Sequence, residues 1–330
     1  MLKAARGFRQ SQEFWLVMVT ATLVVVLSIL RPNFLSLQNL LDLMSSYAYT
    51  GMLVLALFVV LIAGGIDISF AAVATAAQYA ALTVANSYNI GWIGVTLIAA
   101  AIGLSLGLVN GFLVYALGLA SIIVTIATQS IIFGLVLTIT RGQDIFSLPE
   151  WFTRGVDWTF TVSPDGTEYA INLQMIALVA SLVVTWLLLN RTNIGRQVYA
   201  LGGNPDAARR IGFRVFGLNL FVYGYMGLVA GLASIVLAQY TQSVSPTALV
   251  GRELDVVAAA FLGGASVLGG AGSVLGAALG IALLAIIQNG LTLLGVSSYW
   301  SGFSTGVVIV VAVVAMARDA RRRWRDSPGM

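Results

Sequence analysis

Long apolar runs recur from one end of this 330-residue chain to the other, and they limit its possible folds more than any other feature. Each run holds about 20 residues, enough for a helix to cross roughly 30 Å of membrane hydrocarbon. The runs lack the strict alternation of apolar and polar side chains that marks the shorter strands of a membrane barrel. Only 9% of the residues are charged, against about 25% in a soluble domain. The sequence therefore predicts an all-α polytopic membrane protein.

We predict a single transmembrane domain, residues 1–330, with about ten spans. The predicted spans are residues 14–30, 45–63, 66–86, 91–117, 120–140, 172–190, 216–240, 254–268, 271–291 and 303–317. They form a first half (14–140), a periplasmic loop (141–170), a second half (172–317) that includes a cytoplasmic loop (191–215), and a basic cytoplasmic tail (318–330).

The distribution of basic residues supports this count. With the N-terminus in the cytoplasm, thirteen of the 17 Lys and Arg residues lie on the inner side, as the positive-inside rule requires. Losing or adding one span would put loop 191–215 and the tail on opposite sides of the membrane. The basic excess is therefore interpreted as topology rather than as affinity for nucleic acid, and both termini are predicted to be cytoplasmic.

Short matching segments indicate an inverted repeat of two five-helix halves. Residues 65–68 (GIDI) match residues 253–256 (ELDV), and the Asn-Gly pair at 110–111 matches the pair at 289–290. Because each half has an odd number of spans, the two halves have opposite orientations. In transporters of this kind the route lies between the repeats, beside broken helices.

Asp67, in the sequence GGIDIS, is the most distinctive candidate for the translocation path. A carboxylate in an apolar stretch is costly unless it is satisfied, and it then often marks a route or gate. The alternative is structural, since Asp67 or Ser69 can cap the helix that begins after Gly64-Gly65. Both interpretations can hold together, because a broken helix beside a route needs its free N–H groups satisfied.

Other polar groups within the spans suit a neutral, hydroxyl-rich solute, which needs hydrogen bonds rather than counter-ions. Individually, each is also explained by a hydrogen bond between helices. The candidates for the path are Gln78, Asn110, Gln129, Gln288 and Asn289. Glu253 and Asp255, beside Arg252, are interpreted as an outer gate, an outer salt bridge or helix caps.

Residues for catalysis or metal binding are missing from the sequence. There are no cysteines and no histidines, and Lys3 is the single lysine. The chain therefore lacks the GxxxxGK[ST] phosphate loop, and we predict no catalytic site, no metal and no bound cofactor. It also lacks the series of buried carboxylates or histidines that proton-coupled carriers use. The clustered glycines, such as those at 272, 276 and 280, are interpreted as helix-packing surfaces.

Several longer segments resemble the permease subunits of bacterial ABC importers of the ribose/monosaccharide class, which includes importers of autoinducer-type sugar derivatives. The similarity covers nearly the whole chain. The segments are RPNFLSLQNL, LIAGGIDIS, LGLVNGFLV, RTNIGRQVYALGGNPDAARRIGF, ELDVVAAAFLGGASVLGGAGSVLGA and LLGVSSYW.

The resemblance implies a ten-helix permease in the bacterial inner membrane, with several partners. These would be a second permease subunit (an identical copy or a paralogue), two cytoplasmic ATP-binding subunits that carry ATP and Mg²⁺, and a periplasmic solute-binding protein. The acidic segment 141–170 is a candidate contact for the binding protein. The resemblance also implies a coupling helix that docks on the ATPase, formed by Asn204, Pro205, Asp206, Ala207, Ala208, Arg209, Arg210, Ile211 and Gly212.

The chain departs from the family pattern near the expected route. Ala71 and Ala72 replace a small polar pair, Ala120-Ser121 replaces a Pro-Phe turn, and Phe133 stands where an arginine is expected. These changes leave the solute open. They also leave open whether the partner permease is identical or a paralogue.

The leading hypothesis is thus the permease subunit of an ATP-driven importer of a monosaccharide or related sugar derivative. The alternative is a self-sufficient secondary carrier or channel for a small polar solute. An integral-membrane enzyme is disfavoured, because the sequence has no set of nucleophile, base or metal ligands.

Overall fold

The computed structural model describes residues 12–310 except 163–167, 267, 298, 301, 308 and 309. The predicted tail, 318–330, and the first 11 residues lie outside the described part. The elements in chain order are α1 Gln12–Leu30, a 3-10 helix Pro32–Leu35, α2 Leu37–Ser46, α3 Ala48–Ile62, α4 Phe70–Ser87, α5 Gly91–Leu117, α6 Ser121–Thr140, α7 Glu150–Thr153, β1 Asp157–Val162, β2 Glu168–Asn172, α8 Leu173–Arg191, α9 Asn193–Gly203, α10 Pro205–Arg210, α11 Val215–Thr241, α12 Glu253–Leu262 and α13 Val274–Leu293.

Six helices in the described part are long and apolar enough to cross a membrane, namely α1, α5, α6, α8, α11 and α13. A seventh crossing is possible if α2 and α3, which meet at a 51° bend, count as one broken span. The structure therefore shows a multi-pass membrane protein, and the count of ten spans stays a prediction. Two predicted spans differ in form: α4 does not meet the same apolar criterion, and α12 has only ten residues, about 15 Å.

The predicted last span, 303–317, is only partly covered. Residues 302–307 are helical, and those from 311 onward lie outside the described part.

Helix α3 forms the centre of the bundle. Fourteen of its 15 residues are buried, all except Thr50. It packs against α8, α11, α12 and α13. A helix that is apolar on every side is suited to this position, since it has no polar face to expose.

The most extensive helix contact joins α5 and α11, and glycines make it possible. A Cβ added to Gly107 would collide with the carbonyl oxygen of Tyr223, and one added to Gly227 would collide with that of Gly103. The two backbones therefore touch directly, which is how helices associate in lipid without a hydrophobic driving force. Gly276 and Gly280 of α13 approach the backbone of α12 in the same way, as the interpretation of the glycine clusters as packing surfaces expects.

The polar segment over 141–170, predicted as a periplasmic loop, contains a short helix and a β-hairpin. Phe152 of the short helix α7 is buried and stacks on Trp92 with ring centroids 4.8 Å apart. Strands β1 and β2 then form an antiparallel hairpin that pairs Asp157 with Asn172. The all-α prediction thus needs one correction, because DWTFTV alternates polar and apolar residues and both segments contain aromatic and β-branched residues, which favour strands.

Candidate functional site

A chain of buried polar groups lies where α3 ends and α4 begins. The carboxylate oxygen Oδ1 of Asp67 accepts the backbone N–H of Ser69 at 2.8 Å and its hydroxyl at 2.6 Å. The side-chain amide of Asn110, on α5, donates to the same hydroxyl at 2.6 Å. All three residues are at most 2% exposed. Asp67 therefore closes a turn just before α4, and the Ser69 hydroxyl joins this turn to α5.

Hydroxyl groups of α6 accept hydrogen bonds from two backbone N–H groups of the non-helical segment between α3 and α4. The N–H of Ile66 donates to the Ser121 hydroxyl at 2.8 Å, and that of Ile68 to the Thr125 hydroxyl at 3.3 Å. Non-helical backbone at membrane depth requires such partners. Ser121 and Thr125 lie one turn apart on α6, so this i, i+4 spacing is the signal by which Thr125 could have been found from the sequence.

A pocket of about 200 Å³ lies between α4, α6 and the start of α12, and we call it the central pocket. The Gln129 side-chain amide donates to the Glu253 carboxylate at 2.7 Å across it. Glu253 is only 7% exposed although it is charged. The other lining residues are Ala71, Ala72, Thr75, Ser130, Phe133, Leu249 and Val250.

This pocket brings together groups that the sequence treated separately. Gln129 was predicted for the path and Glu253 for an outer gate or cap. Two of the three departures from the family pattern, Ala71-Ala72 and Phe133, line the same space. Gln129 lies eight residues beyond Ser121, the first residue of α6, so the pocket is about 12 Å along that helix. Glu253 therefore lies at the level of the middle of α6 rather than at its outer end.

Gln78 and Asn110 each carry a buried acceptor without a partner among the described residues. Both side chains are 1% exposed, and the Gln78 Oε1 and Asn110 Oδ1 atoms receive no hydrogen bond. Buried polar atoms are nearly always satisfied, so orphans call for an explanation such as water or solute. Gln78 follows Thr75 of the central pocket by one turn of α4.

A second polar cavity, of about 490 Å³, lies beside the bend between α2 and α3, and we call it the outer pocket because this side of the bundle is predicted to face outward. The Tyr47 hydroxyl donates to Gln288 at 3.1 Å, and Gln288 donates to Thr305 at 3.2 Å. Arg252 and Asp255 both line the cavity but form no salt bridge with each other. The remaining lining residues are Ser46, Thr50, Tyr240, Leu284 and Gly302.

Asn289 is directed elsewhere, although it follows Gln288 in sequence. Its side-chain amide exchanges two hydrogen bonds with Asn39 of α2, at 3.0 and 3.2 Å. This pair connects α13 to α2, which fits the interpretation of Asn289 as a contact between helices. Asn289 was predicted to line the path, but its side-chain amide both donates to and accepts from Asn39.

A third cavity, of about 620 Å³, is a different kind of space. It lies between α5, α8 and α11 and is lined almost wholly by apolar side chains, including Leu97, Val184 and Leu232. It offers few hydrogen-bond partners to a polar solute. The polar groups that suit a hydroxyl-rich solute lie in the central and outer pockets instead.

The polar segment between α8 and α11, predicted as the cytoplasmic loop 191–215, forms two short helices, α9 and α10. Asn204 caps α10 by accepting the N–H of Ala207 at 2.9 Å, and Pro205 occupies the first turn. Within α10 only Ala208 is buried, and the following Ile211 is 67% exposed. The predicted coupling residues, 204–212, thus form a short, largely exposed helix that is followed by one exposed apolar side chain, Ile211.

No group of three or more Asp and Glu side chains in the described part is placed to hold a metal ion.

Comparison with known proteins gives a consistent family. The family described as "Branched-chain amino acid transport system / permease component" matches residues 39–313. The ribose import permease protein RbsC of Bacillus subtilis is 35% identical over 300 residues, covering 88% of each chain. The autoinducer 2 import system permease protein LsrC of Yersinia pseudotuberculosis is 32% identical, covering 95% of this chain and 86% of that protein. The L-arabinose transport system permease protein AraH of Escherichia coli is 31% identical, covering 92% and 89%. No solved structure matches the chain.

Proposed function

The chain belongs to the branched-chain amino acid transport system / permease component family, and on that premise we propose that it is the membrane subunit of an ATP-driven importer for a monosaccharide or related sugar derivative. The observation that carries this proposal is similarity to sugar import permeases over about nine-tenths of the chain. As in that family, the chain is a transport component rather than a catalyst.

The family description names branched-chain amino acids, whereas the relatives cited above are named for ribose, arabinose and autoinducer 2. The polar lining supports a sugar-like solute. The central and outer pockets offer amide, hydroxyl and phenol groups, which exchange hydrogen bonds with sugar hydroxyls.

We place the route along the outer pocket, the central pocket and the buried polar chain at Asp67. Glu253 and Gln129 close the central pocket from opposite halves of the chain. The helix contacts support two inverted halves: α4 packs on α5 and α11, and their repeat counterparts α12, α13 and α3 make the corresponding contacts. The α12 helix begins beside the pocket, as broken helices do in transporters built from inverted repeats.

ATP and Mg²⁺ belong to two cytoplasmic ATPase subunits in this proposal. Helix α10 would dock on one of them, while a second permease subunit and a periplasmic binding protein complete the complex. The binding protein would supply most of the affinity for the solute, so contacts along the route need only be weak. The protein would lie in the bacterial inner membrane with both termini in the cytoplasm.

The test of this function is reconstitution in liposomes with the ATPase and the binding protein. We expect a stable complex and uptake of radiolabelled D-ribose or L-arabinose that requires internal ATP. Excess leucine should leave this uptake unchanged. Uptake by the chain alone, driven by an ion gradient, would favour the secondary carrier and refute the importer.

A substitution in α10 tests the coupling role. Replacing Asp206, Ala207 and Ala208 by bulky side chains should preserve insertion but separate ATP hydrolysis from uptake, because the helix could no longer fit its site on the ATPase. Arg214→Gln, just beyond the coupling residues 204–212, is the control and should keep both activities coupled. Normal uptake per ATP in the α10 variant would contradict the coupling role.

A further inference from the structure

Three segments meet backbone to backbone at the inner end of the bundle, and we call this contact the inner junction. They are the end of α3 (Ile62 and Gly64), the end of α9 (Gly202) and the linker between α12 and α13 (Gly269 and Gly270). The N–H of Gly270 donates to the carbonyl oxygen of Ile62 at 2.8 Å. The three segments are far apart in sequence, so this contact is a tertiary one.

Glycine is required where these segments touch. A Cβ on Gly202 would collide with the carbonyl oxygen of Ile62 and would lie 2.6 Å from the Gly270 nitrogen. Gly269 has a φ of +82°, and a Cβ there would lie 2.6 Å from the Cα of Gly64. The contact therefore has no flexible side chains between the backbones, and one segment cannot shift without displacing the others.

A side chain adds a second link one turn earlier in α9. The Tyr199 hydroxyl donates to the carbonyl oxygen of Gly272 at 2.9 Å. Tyr199 is partly buried, and burial raises the pKa of its phenol, which keeps the donating proton in place. Helix α9 is thus held to the α12–α13 linker at two points, through Gly202 and through Tyr199.

The inner junction lies between the coupling helix and the central pocket. On one side, α9 runs through Asn204 directly into α10. On the other side, the chain after Gly64 reaches the pocket residue Ala71 within seven residues. The linker reaches Glu253 through α12, a single helix of ten residues. The α4 wall and the α12 wall of the central pocket are therefore joined to the junction by short segments.

We propose that the inner junction transmits the displacement of α10 to the central pocket, with Gly202 and Tyr199 as positioning residues that act through α3 and the α12–α13 linker. This inference rests on the importer function proposed above. The inference adds a mechanical path inside this chain, which runs from the contact of α10 with the ATPase to the α4 and α12 walls of the central pocket.

The chain offers a matched control for this path. Gly203 neighbours Gly202 on α9, but a Cβ added to Gly203 meets nothing within 4 Å. Gly202→Ala and Gly203→Ala therefore make the same chemical change, but the added methyl group points into the contact at Gly202 and into open space at Gly203. Tyr199→Phe removes one hydroxyl and keeps the ring.

The chain contains no cysteine, so Ala72→Cys places a single reporter thiol in the central pocket. In the reconstituted complex with ATPase and binding protein, N-ethylmaleimide labelling of this thiol should change when Mg-ATP is added. Gly203→Ala should keep that change, and Gly202→Ala should lose most of it while the complex still hydrolyses ATP. Tyr199→Phe should weaken the change by about 2- to 10-fold, the net contribution of one hydrogen bond.

The outcomes separate the junction from the importer function. If Gly202→Ala responds to ATP as Gly203→Ala does, the junction does not transmit the movement. If Gly202→Ala fails to assemble, Tyr199→Phe decides, and a response equal to that of the unaltered junction overturns the proposal. If the reporter chain with an intact junction shows ATP-dependent uptake but no change in labelling, the central pocket does not move and the proposal is overturned. If it shows no ATP-dependent uptake either, the importer function itself is contradicted.

Discussion

Replacing Gln129 by leucine should destabilise the protein through Glu253. The two side chains come from different halves of the chain and meet at 2.7 Å in the central pocket. Glu253 is 7% exposed, so its carboxylate has few other sources of hydrogen bonds. Gln129→Leu removes the donor and keeps a side chain of similar length.

The size of the effect follows from the charge and from the volume of the pocket. Neutral hydrogen bonds between membrane helices contribute about 0.6 kcal/mol on average, whereas bonds to charged groups contribute about 1.5–3 kcal/mol. Breaking a fully buried charge pair costs about 3–5 kcal/mol. The pocket holds about 200 Å³, enough for several waters at about 30 Å³ each. Water would partly replace the lost donor, so we expect a loss of about 1.5–3 kcal/mol in the free energy of unfolding.

The assay is unfolding by SDS titration in mixed micelles, arranged as a double-mutant cycle. Gln129→Leu, Glu253→Leu and the double variant should give a coupling energy of about 1.5–3 kcal/mol, because the double variant leaves no unpaired charge. Ser130→Ala is the matched control: its hydroxyl bonds only to the carbonyl of Ile126, one turn back on the same helix. If the two single losses simply add to within about 0.5 kcal/mol, the reasoning about this pair is wrong.

Three further substitutions test other parts of the structure. Gly227→Val should prevent packing of α5 against α11, since the added Cβ collides with the carbonyl oxygen of Gly103. Gly217→Val on the same helix is the control and should be tolerated, because only one atom lies within 4 Å of the added Cβ. The yield of monodisperse protein in detergent measures both effects. Asn289→Leu should cost about 0.5–2 kcal/mol in SDS unfolding, because the Asn39 Oδ1 loses its donor while the Asn39 amide keeps its bond to the Phe34 carbonyl; an unchanged unfolding curve would contradict the amide pair. Phe133→Arg places a cation in the central pocket and should change the ratio of ribose to arabinose uptake; an unchanged ratio would remove Phe133 from the set of specificity residues.

The long helices could be predicted from hydropathy to within a few residues, and the break at Gly64-Gly65 could be predicted from its glycines, but the early end of α12 was not predicted. The span predicted over 91–117 coincides with α5, Gly91–Leu117. The span predicted over 254–268 ends at Leu262 instead, because Gly263 and Gly264 terminate α12 while the sequence stays apolar. Hydropathy measures composition and is insensitive to a left-handed glycine, such as Gly264 with a φ of +84°.

The candidate site shows the same limit in its polar contacts. Asp67 and Ser69 are two residues apart, so a local hydrogen bond between them was foreseeable, although it closes a turn before α4 rather than capping the helix as the sequence predicted. The contact of Gln129 with Glu253 joins positions 124 residues apart, so it depends on how two halves pack. A single sequence carries no such pairing information, and the two residues were therefore assigned to different parts of the molecule.

The burial of α3 has a consequence for biosynthesis. Its neighbours α8, α11, α12 and α13 all follow it in the chain, and they leave the ribosome after α3 has been inserted. Until then, α3 is surrounded by lipid, which its apolar surface tolerates on every side. The N-terminal half therefore waits in the bilayer without its final packing, and maturation of the centre of the protein is delayed until synthesis has reached α13. Truncation anywhere before α13 leaves a permease that is inserted but unassembled, a form that membrane quality control can recognise by its exposed helix contacts.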